Sequence, residues 1–554
     1  MPPRPVFPYP QCIGWFWLSL AVVGLLTSIC LALPTANATG DAWYYAACAR
    51  WGQELWQPHH LLYNAIGWGW LRVVGAAGPA PAGLAALPWL QALNALAYGG
   101  CLLALGRLLP WAGVARAAVP AWLLLVGSCF GMLRFATENE AYMQPLLLAL
   151  LASLAWARAL RTEKQSGRWL LLAGLLAAGA CLVHQLMVWW WLGLLLGLRP
   201  WRGRPAAARA LWYLVPAVLV PLAYALAAPG GVGGMVRFAL HDYLTGNARV
   251  ELGGKGLLLT GINLVRTTGQ VHGNLLPLLH RWPLLLGGVG ISSLALGTYG
   301  ALGARAAWRK STPAPMPRPT LPLCTQSLNY LLTVRTHALI GGLHLAFAAQ
   351  AAGNAEFMVM LPALAALALA GGPLAAWPPR RVAALGAALL SWNLAFGLVP
   401  AHLLDYTGTG PALRAWVLRQ PQAWFLLRDP NLVLNQLQYY SGRPASAPRV
   451  VGLTRPAAPA AFRAWLAGRL AAGEVVYTDA LGGYRPLDRA QLTQGAAAAQ
   501  RLAGFAAVRV DSFPTFFGPR YLTRLGPARG VGTSPARTQP MLSASAAVKT
   551  GASR

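Results

Sequence analysis

The chain has 554 residues, 44 Lys and Arg against 14 Asp and Glu, and a formal net charge of +30. Hydrophobic residues make up 56% of it and charged residues only 10%, against roughly a quarter charged in soluble domains. An ordinary soluble protein is excluded. So is a nucleic-acid partner: the basic residues form no single stripe but recur in short clusters between apolar runs, the spacing that membrane orientation requires. The seven cysteines show no paired CxxC spacing, which supports neither a zinc site nor a disulfide framework.

A membrane-spanning helix needs about 20 mainly apolar residues. Such runs are predicted near 12–33, 85–106, 114–133, 142–158, 169–183, 186–198, 211–228, 283–303, 332–352, 357–377 and 382–401. The fold class is therefore mainly α, a polytopic membrane bundle of about eleven transmembrane helices. The runs 169–183 and 186–198 are parted only by His184 and Gln185, so they read as a tight hairpin or one long broken helix.

With the N-terminus inside, the inner loops carry Arg107 and Arg116, then Arg158 and Arg161, then Arg305 and Arg309, then Arg380 and Arg381. The outer turns at 184–185 and 353–356 carry no Lys or Arg. This alternation follows the positive-inside rule and places everything after about 402 outside the cytoplasm, at the inner (cell) membrane. Ala36-Asn37-Ala38 has the form of a signal-peptidase site. The run before it is longer than a usual signal core and is needed for the alternation, so an uncleaved anchor is expected.

Only eight acids precede residue 402, and on this topology all but Glu163 face outward. Glu138, Glu140 and Glu356 lie beside apolar boundaries, where an ionised group is costly unless it has a partner or a task. The first outer loop is the richest segment. It holds Asp41, Tyr44 and Tyr45, then Pro58-His59-His60-Leu61 and Tyr63. Trp43, Ala47, Trp51 and Leu55 recur every four residues, which predicts a helix lying flat in the membrane interface. Asp41 would stand at its N-terminal end, where the helix dipole favours an anion, a position that equally suits a plain cap. A second amphipathic stretch runs from about 61 to 75.

Together these features resemble the GT-C superfamily, and within it the protein O-mannosyltransferase and aminoarabinose-transferase type, over roughly residues 10–400. Three segments carry the resemblance. Asp41 falls where the family has its first-loop acid, although the family often has Asp-Glu where this chain has Asp41-Ala42. Pro58-His59-His60-Leu61 is a rearranged form of the family's His-Pro-Pro-Leu turn. Arg134 to Tyr142, with Glu138 and Glu140, is similar to the second outer loop, and Gly353-Asn354-Ala355-Glu356 to a late outer turn.

The resemblance implies transfer of a sugar from a polyprenyl-phosphate donor to a lipid, protein or polysaccharide acceptor outside the cytoplasm, with inversion. It makes Asp41 the expected catalytic base and Glu140 the second choice. The expected substrate-binding residues are His59, His60, Tyr63, Arg134, Glu138, Tyr142, His184, Asn354 and Glu356. A leaving phosphate needs facing cations; Arg134, Arg237, Arg249, Lys255, Arg266 and Arg281 are the outer candidates, with His241 as a helper. No metal ligand is assigned. A divalent metal is the one cofactor left open, through His59 and His60 with Asp41 or Glu140, although no HxxxH or HxxE spacing occurs. Trp189-Trp190-Trp191 reads as an interfacial aromatic belt, with a sugar platform as the alternative.

Beyond 402, Arg449–Leu453 and Glu474–Asp479 read as strands around a helix at 458–472, a small C-terminal α/β domain. The expected division is a transmembrane domain at 1–401, an extracytoplasmic accessory domain at 402–525 and a disordered tail at 526–554. Two other classes fit parts of this pattern. A transporter or flippase of lipid-linked glycans would show internal repeats and mid-membrane charges, neither of which is visible. A non-catalytic envelope scaffold would not need Asp41.

Overall fold

The computed structural model describes residues 9–79, 85–162, 165–198, 204–228, 230–245, 253–271, 274–311, 325–351, 353–408, 411–442, 449–453, 459–483 and 489–528. Glu163, Arg249 and the tail from 529 onward lie outside the described residues.

Each of the apolar runs folds as helix. Among the described residues, seven helices are long and apolar enough to cross a membrane: Gly14–Ala32, Ala86–Ala112, Ser166–Val183, Ala207–Ala227, Pro283–Lys310, Tyr330–Gln350 and Pro379–Leu403. A bent pair, Arg116–Gly127 and Phe130–Ala136, meets the same criteria taken together, with a 70° break of the kind found in broken spans and re-entrant loops. Met143–Ala159, Gln185–Leu196 and Ala355–Leu369 are apolar but shorter. The two runs beside His184 form a hairpin rather than one broken helix, because His184 is extended (φ −152°, ψ 120°) and ends the first of them.

Helices in this bundle meet through small residues, as they must where lipid tails give no hydrophobic drive to association. A Cβ on Gly193 would sit 2.2 Å from Ile340, and one on Gly174 would sit 2.2 Å from the Tyr213 carbonyl oxygen. Trp190 belongs to this packing rather than to an interfacial belt: it is buried, and its indole N–H donates to Ser153 Oγ at 2.9 Å.

The C-terminal part forms one five-stranded sheet from β1 (Trp424–Leu427), β2 (Arg449–Gly452), β3 (Val476–Thr478), β4 (Phe505–Phe513) and β5 (Arg520–Ala528). The order is β2-β1-β3-β5-β4. β1 pairs in parallel with β2 and β3, and the remaining pairs are antiparallel. Successive residues of β1 face opposite sides, as a strand requires: Phe425 and Leu427 pack with Tyr477 and Leu522, while Leu426 packs with Leu453, Phe462 and Val476. β5 continues to Ala528, past the boundary at 525 drawn from composition.

Two sets of contacts fix this sheet on the bundle. Asn37 donates to the carbonyls of Ala401 (2.8 Å) and Leu404 (2.7 Å) and accepts from the Tyr406 N–H (2.8 Å). It thereby ties the end of the last span to the start of the first outer loop. The Pro430–Ser441 helix then lies along the Gly40–Trp51 helix. Asn435 donates to the Gly40 carbonyl at 2.8 Å, and the Trp51 indole N–H donates to the Tyr439 carbonyl at 2.9 Å. Gly442 ends the second helix at φ +70°, a left-handed conformation suited to glycine, and any Cβ there would meet the Trp51 ring at 2.8 Å. The Trp43–Trp51 stripe expected to meet lipid is thus covered by protein: Trp43 packs edge-on to Tyr439, with ring centres 5.0 Å apart.

Within the sheet, Asp479 is fully buried, accepts the Arg428 backbone N–H at 2.9 Å and is paired with the buried Arg520 guanidinium. Arg520 also donates to the Thr407 carbonyl at 2.7 Å, joining sheet to linker. Removing one partner of a buried ion pair strands the other, which costs about 3–5 kcal/mol. Asp479→Ala is therefore expected to unfold the C-terminal sheet while the membrane helices persist. Limited proteolysis and hydrogen exchange on the full chain check this, and sheet protection equal to wild type would contradict it.

Candidate active site at the mouth of the bundle

The site begins at Thr39, which caps the Gly40–Trp51 helix by accepting the Ala42 N–H at 3.0 Å. Its own N–H donates to Glu138 Oε1 at 3.0 Å and its hydroxyl donates to Glu140 Oε1 at 2.5 Å. One threonine therefore joins the first outer loop to the acids of the second. The cap is Thr39 and not Asp41, which stands in the first helical turn with its carboxylate exposed. Among the described residues, no hydrogen bond or ion pair occupies that carboxylate.

Asp41 opens into a cavity of about 1240 Å³. The first outer loop contributes Asp41, Tyr44, Tyr45, Gln57, His59 and His60; the second contributes Glu140 and Tyr142; and the hairpin contributes His184 and Gln185. Asn354 and Glu356 come from the late outer turn, and Arg428, Asp429 and Asn431 from the end of β1. Asn354 accepts the Glu356 N–H at 3.0 Å, and the Tyr142 hydroxyl donates to Glu356 Oε2 at 3.1 Å. The turn is made by Gly353 at φ +72°, packed so closely that a Cβ would lie 2.5 Å from the Thr260 nitrogen.

Most of the expected residues therefore share one chamber: Asp41, Glu140, His59, His60, Tyr142, His184, Asn354 and Glu356. Three stand behind its wall. Tyr63 is buried and donates to Asn139 Oδ1 at 2.8 Å, and Arg134 Nε contacts buried Glu138 at 3.4 Å. Among the described residues, none of the expected phosphate-facing cations lines the chamber. Arg237 turns back to the Gly233 carbonyl at 3.3 Å, and Arg266 donates to Asn263 Oδ1 at 2.8 Å. The Arg or Lys on the chamber wall, among the described residues, is Arg428. Sequence reasoning also passed over Tyr45, Asp242 and Asp429. The Asp429-Pro430 pair is legible as a helix start, since Asp429 accepts the Leu432 N–H at 3.2 Å, but nothing in it announces a site.

Five carboxylates, Asp41, Glu140, Asp242, Glu356 and Asp429, face this space. The cavity walls withdraw water from Asp41, and the charges of Glu356 and Asp429 add to that, so its carboxyl is raised above the usual range; His59 works in the opposite direction. Burial raises Glu140 well above its ordinary value, with Glu138 and Glu356 adding and the Thr39 hydroxyl opposing. His59 is taken up by Asp242 at 3.1 Å. His60 packs edge-on to His184 with ring centres 4.4 Å apart, and burial lowers both imidazoles, keeping them neutral.

A divalent metal is the cofactor that the sequence left open. Among the described residues no three His, Cys, Asp or Glu side chains converge to hold one. His59 and His60 are turned to Asp242 and His184 instead of toward Asp41 and Glu140 together.

The architecture is that of a polytopic membrane protein in which loops at one end of the bundle and the C-terminal sheet enclose an acidic chamber. It is similar to the Archaeoglobus fulgidus oligosaccharyltransferase tethered with an acceptor peptide containing the NVT sequon, at TM-score 0.50 and 13% identity over 88% of this chain and 72% of that one. The complex of AglB from the same organism with an inhibitory peptide and a dolichol-phosphate gives TM-score 0.50 at 12% identity, over 91% and 74%. ArnT from Cupriavidus metallidurans bound to undecaprenyl phosphate is covered over 99% of its length by 94% of this chain, at 14% identity and TM-score 0.38. No family model and no curated protein matches the chain. The chain shares the fold of these archaeal oligosaccharyltransferase structures.

Glu140 gives a test of the chamber's electrostatics. The folded chain holds its proton more tightly than the unfolded chain does. Its contribution to stability is therefore complete below the ordinary glutamate pKa of about 4.3 and is lost as pH rises through the raised value. Glu140→Gln, which cannot ionise, is expected to unfold at a higher temperature than wild type at neutral pH, with the gap closing in acid. A lower midpoint at neutral pH would mean that the charge is compensated.

Proposed function

We propose that this protein is an integral-membrane glycosyltransferase that moves a sugar, with inversion, from a polyprenyl-phosphate donor to a hydroxyl acceptor outside the cytoplasm. The observation that carries this reading is the convergence of Asp41, Glu140 and Glu356 on one chamber at the end of the helix bundle. The archaeal neighbour's complex with a dolichol-phosphate supports the class of donor.

In this reading Asp41 is the base. It is exposed in the chamber, and a carboxylate whose pKa is raised is a better proton acceptor than an ordinary one. The acceptor oxygen forms its bond to the anomeric carbon as its proton passes to Asp41. The bond from that carbon to the lipid phosphate breaks on the opposite face, and polyprenyl phosphate leaves. A carboxylate nearby stabilises the oxocarbenium character of the transition state, a role suited to Glu356, which Tyr142 holds in place. Arg428 supplies positive charge for the departing phosphate. No step is assigned to a metal. The acceptor is a lipid, a protein or a polysaccharide, and the residues from about 402 to Ala528 form an accessory extracytoplasmic domain that closes the chamber.

Incubating purified protein with radiolabelled polyprenyl-phosphate sugars tests the reading. Asp41→Asn is expected to lower transfer by about a hundredfold or more, the usual contribution of a positioned base. Undiminished transfer would remove Asp41 from the mechanism. In wild type, the acid limb of the pH–rate profile is expected above the ordinary aspartate range, since a base with a raised pKa loses activity sooner as pH falls.

Orientation has its own check. A cysteine introduced by Ala355→Cys is expected to react with an impermeant maleimide added outside intact cells. Labelling only after the membrane is permeabilised would reverse the topology.

A further inference from the structure

A second cavity, of about 330 Å³, lies at the other end of the Gly40–Trp51 helix. At 1.5 Å per residue its Arg50 is roughly 14 Å along that helix from Asp41. Arg50, Trp51, Trp68, Leu71 and Arg72 line it, together with the loop that carries Gly75 and Gly78. Its chemistry is the reverse of the main chamber's: two guanidiniums and no carboxylate.

Neither Arg50 nor Arg72 forms an ion pair among the described residues. Arg50 Nε donates to the Gly78 carbonyl at 3.1 Å and Nη1 to the Tyr439 carbonyl at 3.3 Å. Those carbonyls orient the guanidinium without cancelling its charge. It stands 5.1 Å from the Trp51 ring centre and 4.9 Å from that of Tyr439, while Arg72 stands 5.5 Å from that of Trp68. Arg50 is thus held in place from several sides, and Arg72 is exposed beside it.

The surroundings set the level of this pocket in the membrane. Val73, next to Arg72, is 81% exposed, and Trp89 is exposed while its carbonyl accepts the Trp70 indole N–H at 2.8 Å. Exposed apolar side chains, indoles and arginines side by side are the mixture found at the water–lipid boundary, where amphipathic side chains reach headgroups. A guanidinium suits phosphate because its planar fork can meet two oxygens at once.

We infer that the Arg50–Arg72 pocket is a phosphate-ester site at headgroup level, separate from the acidic chamber, in which the two guanidiniums hold one anionic phosphate. The phosphate could belong to an anionic phospholipid of the surrounding membrane or to a free phosphorylated molecule, and the test tells these apart.

The full chain is purified in detergent and titrated with phosphatidylglycerol, with phosphatidylcholine as control, and retained lipid is read by native mass spectrometry. Arg72→Gln is the informative variant, since Arg72 is exposed and its loss does not disturb the Gly78 and Tyr439 contacts. Wild type is expected to retain phosphatidylglycerol in preference to phosphatidylcholine. Arg72→Gln is expected to retain it about tenfold less well, the effect of one lost charge-assisted contact. Retention that survives millimolar inorganic phosphate assigns the site to a lipid, and displacement by it assigns the site to a free phosphate. The inference is overturned if wild type binds neither, or if Arg72→Gln binds both as well as wild type. The readout does not depend on sugar transfer, so it stands whether or not Asp41 proves to be a base.

Discussion

The hydrogen bonds made by Thr39 hold the acidic chamber together. This residue receives the Ala42 N–H while giving its own N–H and hydroxyl to Glu138 and Glu140. A carboxylate buried at the edge of a membrane is expensive unless donors meet it. Thr39 meets two of them, and in doing so it sets the angle at which the first outer helix leaves the bundle. Asp41 follows two residues later, so its place in the chamber is a consequence of how Glu138 and Glu140 are satisfied. Asn139, between those two acids, donates to the Ala42 carbonyl at 2.8 Å and so holds the same helix from its other side.

Charge is scarce in this chain and is sorted by sign. The chamber gathers carboxylates, the pocket at the far end of the same helix gathers guanidiniums, and the helix between them buries alanines, Cys48 and Tyr45. The macrodipole runs the same way, with its positive end at Asp41 and its negative end at Arg50. One short helix therefore presents an acid at one end and a base at the other, each favoured by the backbone that carries it.

The spans were legible because a bilayer demands about 20 apolar residues and few soluble segments supply them. Asp41, Glu140 and Glu356 were legible for the complementary reason: acids are rare enough here that each one beside an apolar boundary stands out. What was not legible depends on partners distant in sequence. The Trp43 and Trp51 stripe has the periodicity of a helix on lipid, and nothing local tells that Tyr439 will cover it. Arg428 and Asp429 enter the chamber only because the Pro430–Ser441 helix docks on the first outer loop. The outer cations were assigned to phosphate from their side of the membrane alone, whereas Arg237 donates to a nearby carbonyl and Arg266 to a side-chain amide oxygen. β1 is four residues long, too short for alternation to announce it.

The docking of Asn435 on Gly40 spans 395 positions of the chain, and that of Tyr439 on Trp51 spans 388. Gly40 and Asp41 leave the ribosome well before Arg428 and Asn435, which follow the span Pro379–Leu403. During biosynthesis the helix bearing Asp41 must therefore wait, half-seated on Thr39, Glu138 and Asn139, until the C-terminal sheet is delivered to the same side of the membrane. Contacts this remote in sequence are slow to form, so maturation of the chamber is tied to synthesis of the Pro430–Ser441 helix rather than to insertion of the helices that surround it.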